Sequence, residues 1–114
     1  MAFEKIVKVT GDEQTYAFNP ALKKYALSDT GFIQNNAGAY VMQRALEPSK
    51  GLAHSIKLKV VINKELTGMK IKTVNSSGTA IVDIFKLAQK DPELIELYHF
   101  YLQELIEREI IMIK

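Results

Sequence analysis

Residues 91–109, DPELIELYHFYLQELIERE, decide the fold. Asp91 suits an N-cap, and Pro92 suits the first helical position, where a missing N–H costs nothing. Glu93 and Glu96 put negative charge at the positive end of the helix dipole. On a helical wheel Leu94, Ile95, Leu97, Tyr98, Tyr101, Leu102, Leu105 and Ile106 cover about half of the cylinder. So wide a stripe belongs to a helix pressed into a core. Glu109 falls back inside the apolar arc, so the helix is expected over about residues 92–108.

The segments around it read mostly as strands. Phe3, Lys5, Val7 and Val9 alternate with Glu4, Ile6, Lys8 and Thr10, as in a strand over 3–10. Gly11-Asp12-Glu13 turns the chain into a short strand, Thr15–Phe18, which Asn19-Pro20 breaks. Lys23–Ser28, with Tyr25 and Leu27 sharing a face, is expected to be another strand, closed by Asp29-Thr30-Gly31. Phe32–Gln34 and Ala39–Leu46 flank Asn35-Asn36-Ala37-Gly38, residues that supply the positive φ of a hairpin. Glu47–Gly51 is a loop.

The clearest β pattern is His54–Asn63 followed by Met69–Val74. Closed as a hairpin through residues 64–68, it pairs Ile62 with Met69, Val60 with Ile71 and Leu58 with Thr73. A slip of one residue buries lysines, so the pattern itself selects the register. Thr79–Lys86 reads either as a strand or as the start of a helix capped by Ser76 or Ser77 and running to Gln89. Its β-branched content tips the reading to strand. Ile110–Ile113 is a final strand or docking segment. The sum is an α+β protein: antiparallel β-sheets packed against one long C-terminal helix, in a single domain over residues 1–114.

Composition bounds the function loosely. An apolar content of 47%, 25% charged residues and a net charge of +2 are ordinary for a soluble domain and give no footprint for nucleic acid. There is no cysteine, which removes disulfides, thiol nucleophiles and cysteine–metal sites. The N-terminus lacks the pattern of a secretion signal, and the apolar runs are far too short to span a membrane. A cytoplasmic location without a membrane partner is therefore expected.

No catalytic constellation is apparent. His54 and His99 have no ligand spacing around them, so no metal is expected, and Asn75-Ser76-Ser77-Gly78 reads as an ordinary turn. Lys57, Lys59, Lys70 and Lys72 form the one basic patch that the hairpin register builds. Like charges opposite each other cost stability, which invites an anionic partner, although solvated lysines also keep sheets from aggregating. Phe100 sits on the glutamate-rich side of the long helix, where a covering layer or a partner subunit explains it best. Asp83 reads as an outward-facing charge.

Beyond these local readings, FEKIVKVTGDEQTYAFNPALKKYAL (residues 3–27), EPSKG (47–51), NSSGTAIVDIF (75–85) and FYLQELIERE (100–109) resemble a small family of unknown function from lactic-acid bacteria and their relatives, over the whole chain. The resemblance implies sheets packed on a single long helix and a remote likeness to prokaryotic S-adenosylmethionine decarboxylases. It implies a role in amino-acid metabolism, and genes encoded near cysteine desulfurase. Decarboxylase chemistry is not implied. Those enzymes cleave themselves at Glu-Ser-His to make a pyruvoyl group and use a cysteine acid, whereas the nearest string here is Ala53-His54-Ser55-Ile56. No cofactor is expected, and no family site residue carries over.

Three functions follow as expectations. The first is a non-enzymatic small-molecule-binding or regulatory domain linked to amino-acid or sulfur metabolism. The second is an accessory interaction module, a homodimer or a partner of a desulfurase-type enzyme, using Phe100 and the lysine face. The third is an enzyme built from His54, Ser55, Asp83 and Tyr16 or Tyr25, which must then converge in one pocket.

Overall fold

The computed structural model describes residues 3–87 and 89–114. Its elements are β1 (Ile6–Lys8), β2 (Thr15–Phe18), α1 (Lys24–Asp29), β3 (Ile33–Gln34), β4 (Tyr40–Ala45), β5 (Lys57–Ile62), β6 (Met69–Val74), α2 (Ile84–Leu87), α3 (Glu93–Glu107) and β7 (Ile111–Ile113). They form two antiparallel sheets, β1-β2-β7 and β3-β4-β5-β6, and α3 packs on both. This is the expected α+β architecture.

Helix α3 buries Leu94, Tyr98, Leu102 and Leu105. Ile95, Leu97, Tyr101 and Ile106 flank that seam, packed against the core but partly exposed. The sealed stripe is thus narrower than the apolar arc, and its edges cover the rims of the sheets. Asp91 contributes its carbonyl, which accepts from the Leu94 N–H at 3.3 Å; no side chain caps this end. The core continues through Met42 of β4, Leu58, Val60 and Ile62 of β5, Met69 and Ile71 of β6, and Tyr16 and Ile111 of the smaller sheet.

The β5–β6 register is the expected one: Ile62 opposite Met69, Val60 opposite Ile71, Leu58 opposite Thr73 and Lys59 opposite Lys72. Asn63 closes the turn by accepting from the N–H groups of Thr67 and Gly68 at 2.8 and 3.0 Å. In the β3–β4 hairpin Asn35 does the same for Ala37 and Ala39 at 3.0 Å.

Two expected strands are helices. Lys23–Ser28 contains α1, because adjacent Ala26 and Leu27 are both buried while Tyr25 is 66% exposed. An alternating strand would have buried Tyr25 with Leu27. In Thr79–Lys86 the β-branched residues give only an isolated bridge, Ile81 to Val74. Asp83 then caps α2, its Oδ1 accepting from the N–H groups of Phe85 and Lys86 at 3.0 and 3.2 Å. Cap chemistry outweighs strand propensity there, with Asp83 in place of Ser76 or Ser77. Residue 88, inside the segment to Gln89, lies outside the described residues. Residues 54–56 also precede the strand that was expected to begin at His54; a 3₁₀ turn spans Leu52–His54.

Helices α1 and α3 end alike. In α1 the Phe32 N–H reaches Leu27 and the Gly31 N–H reaches Ser28, at 2.9 and 3.1 Å. In α3 the Ile110 N–H reaches Leu105 and the Glu109 N–H reaches Ile106, at 2.9 and 3.0 Å. Each is a Schellman closure, which needs a left-handed residue just past the helix. Gly31 supplies it at φ 91°, but Glu109 must hold φ 58° with a side chain in place.

Glu109→Gly relieves a conformation that costs a non-glycine residue about 1–2 kcal/mol, offset in part by the greater freedom of glycine in the unfolded chain. A net gain of about 0.5–1 kcal/mol is expected in urea unfolding, with the midpoint moved and the slope unchanged.

Candidate functional site

Among the described residues one backbone pair links the two sheets. The Glu4 N–H donates to the Met69 carbonyl at 3.0 Å, and the Met69 N–H donates back to Glu4 at 2.8 Å. The chain bends at Lys5, and beyond it β1 and β6 border a groove of about 370 Å³. Val7, Met69, Ile71 and Ile81 give it an apolar lining, while Glu4, Lys8, Thr10, Lys70 and Lys72 bring polar groups. Alternation explains the mixture. Met69 and Ile71 belong to the core face of β6 and Lys70 and Lys72 to the opposite face. At the seam the two lysines and the edge of Ile71 are reached, with Met69 sealed beneath.

On the far side of Lys70 and Lys72 a second groove, of about 410 Å³, crosses the outer face of the larger sheet. It is bordered by Lys59, Lys64, Lys70 and Lys72, with Val41 and Val61 between them and Glu65 as its one acid. The Lys70 ammonium stands 4.4 Å above the Phe3 ring, a cation–π contact that fixes this lysine. Lys59 and Lys72 face each other directly across the strands.

Lys57 departs from the patch. It is 9% exposed, and its ammonium donates to the Ser76 carbonyl, pinning the Asn75–Gly78 turn to β5. That turn is closed on itself, with Asn75 Oδ1 accepting from the Thr79 N–H at 2.9 Å. Phe100 is 61% exposed and touches Tyr101 edge-on, so no layer of the chain's described residues covers it.

The residues of the enzyme reading are not brought together. Ser55 is buried, accepting from the Glu47 N–H at 2.8 Å and donating to the Ile56 carbonyl. Asp83 caps α2, His54 is exposed in its turn, and Tyr25 is exposed on α1. Tyr16 does line a small groove of about 230 Å³ with Gln14, His99 and Gln103. Next to it Tyr98 donates to Asp12 Oδ2 at 2.7 Å, fully inside the core. Burial, reinforced by the Asp12 charge, pushes Tyr16 from 10.0 up to about 12. Burial and the bond to Asp12 raise Tyr98 as well.

Glu4, Lys8 and Lys64 did not stand out in the sequence. Glu4 and Lys8 matter because β1 meets β6, a contact across more than sixty residues that local alternation cannot announce. Lys64 sits in the hairpin turn.

The fold and its grooves define a two-sheet α+β protein with one long C-terminal helix, whose concavities are open and lie at the surface. The chain belongs to the DUF1831 family, a family of unknown function described as "Putative amino acid metabolism", whose model matches residues 1–112. The crystal structure of a DUF1831 protein from Lactobacillus plantarum superposes with a TM-score of 0.90 at 38% identity, covering 100% of this chain and 99% of that one. Neither match extends to S-adenosylmethionine decarboxylases, and no curated protein matches. No helix among the described residues is long and apolar enough to cross a membrane.

Two measurements test these contacts. Lys72→Glu replaces the repulsion of Lys59 by attraction, and a gain of about 0.5 kcal/mol in urea unfolding is expected. Added salt should narrow the difference between variant and parent. At high pH the two raised phenols oppose unfolding only while protonated. The stabilisation from Tyr16 is complete below pH 10 and is lost as pH rises through about 12. That from Tyr98, raised further by burial and its bond to Asp12, keeps falling beyond it. A tyrosine absorbance titration should show the ionisation of Tyr16 and Tyr98 accompanying loss of the fold.

Proposed function

We propose that this protein is a non-catalytic small-molecule-binding domain serving amino-acid metabolism, with the groove between β1 and β6 as its ligand site. One observation carries the reading: an apolar floor and a charged rim, without a salt bridge among the described residues, meet in a concavity of about 370 Å³, at the lower end of the usual range for small-molecule sites. The family description supplies the metabolic field. Thermal unfolding against a panel of amino acids, 2-oxo acids, polyamines and nucleotides tests it. A ligand at a hundred times its dissociation constant stabilises by about 2.7 kcal/mol, which raises the midpoint of a domain of this size by roughly ten degrees. A flat panel removes the reading.

A second reading, an interaction module, is favoured by Phe100. It stands exposed among Glu93, Glu96 and Glu107 on α3. Under it the parent chain sediments as a homodimer and Phe100→Ser as a monomer; a monomeric parent counts against self-association.

A further inference from the structure

We propose, building on the binding reading above, that the groove between β1 and β6 recognises an apolar α-amino acid as a zwitterion. Lys8 and Lys72 take its carboxylate, Glu4 its ammonium, and Val7, Ile81 and the edge of Ile71 its side chain.

The charges around the groove lead to this class. Lys8, Lys70 and Lys72 border it together with a single acid, Glu4. Among the described residues the salt bridges are Lys50–Glu47 and Arg108–Asp29, so Glu4 pairs with none of the three lysines beside it. Lys70 is engaged on the Phe3 ring, which leaves Lys8 and Lys72 for a ligand anion. A simple carboxylate or phosphate would satisfy the lysines but would meet Glu4 as a like charge. A ligand bearing both signs uses the whole rim.

The Glu4 backbone is locked by its two hydrogen bonds to Met69, so its carboxylate leaves the chain from a fixed point. The lining between the charges is Val7, Ile81 and the edge of Ile71, over a fully buried Met69, with Thr10 as the neutral polar residue. That surface favours an aliphatic or thioether side chain over a polar one. The volume suits a molecule of amino-acid size better than a nucleotide.

Isothermal titration with L-leucine, 4-methyl-2-oxopentanoate and isopentylamine separates the charges, because the three share one side chain. Leucine should bind, with the oxo acid and the amine each at least about tenfold weaker. Glu4→Gln should weaken leucine about tenfold and strengthen the oxo acid by relieving the like charge, whereas Lys72→Gln should weaken both acids. Cooperative unfolding, with midpoints no lower than the parent's, shows that the variants fold. Amide shifts should map leucine to Val7–Thr10 and Met69–Lys72. An oxo acid that binds as tightly as leucine, or a Glu4→Gln variant with unaltered leucine affinity, overturns zwitterion recognition while leaving an anion-binding groove. Shifts confined to another part of the molecule overturn the site, and no binding by any of the three overturns the amino-acid class.

Discussion

Tyr98 lies at the centre of the core with no exposed surface, and its hydroxyl has to find a partner there. Asp12, from the opposite end of the chain, provides it at 2.7 Å. Apolar burial supplies most of the driving force for packing α3, but it is non-directional and accepts several rotations of the helix. The hydrogen bond accepts one, because any other leaves a buried phenol and the Oδ2 of Asp12 without partners. The Asp12 backbone is held by the N–H···O contact to Val9, and its Oδ1 accepts from Gln14 at 2.9 Å. Gly11 makes this turn possible. It has φ 87°, and a Cβ there would stand 2.2 Å from Asp83 Oδ1. The carboxylate of Asp83 caps α2, whose Phe85 meets Tyr98 edge-on at 5.6 Å. The β1–β2 turn, α2 and α3 are thus located by one cluster.

The same economy leaves the seam open. The larger sheet and the smaller one share α3 as their common support, so they need little pairing between themselves. Glu4 and Met69 make it, and β1 then bends away. A fully paired seam would have sealed the edges of both strands, the usual protection against pairing with other chains. Here charged side chains, Lys8, Lys70 and Lys72, stand at that edge. They protect it, and they also give the groove its sign.

What the sequence makes legible follows the range of the physics. The β5–β6 register is readable because the lysines and aliphatics alternate within one hairpin, where a slip carries an immediate penalty. Helix α3 is readable because fifteen residues sample four turns of one apolar stripe. Six residues are too few. Tyr25 and Leu27 fit a strand's period as well as chance does, and the helix of α1 was marked by Gly31, a stop signal that reads equally as a turn. For residues 79–87 a single side chain, Asp83, decides between pairing and helix. The groove was least legible. Lys59, Lys70 and Lys72 are visible as a patch, but Glu4 and Lys8 join them only through a long-range backbone pair, and Lys57 looks like its neighbours until Ser76 is folded over it.

Departures from local rules are informative according to what compensates them. Glu109 holds a left-handed conformation, and in return Ile110 is fully buried and β7 begins in register with β2. Leu66, at φ 57°, packs against the core inside the turn that Asn63 brackets. Lys57 gives up solvent for a carbonyl. Lys59 and Lys72 stand opposite each other with no acid, carbonyl or ring engaged by either ammonium among the described residues, although neighbouring Lys70 has Phe3. Folding accounts for the strain at Glu109 and Leu66, because the packing it permits is inside the molecule. It does not account for the lysine pair, which weakens the sheet it stands on. A local rule broken with no compensation in the fold points outward, and both grooves meet at Lys72.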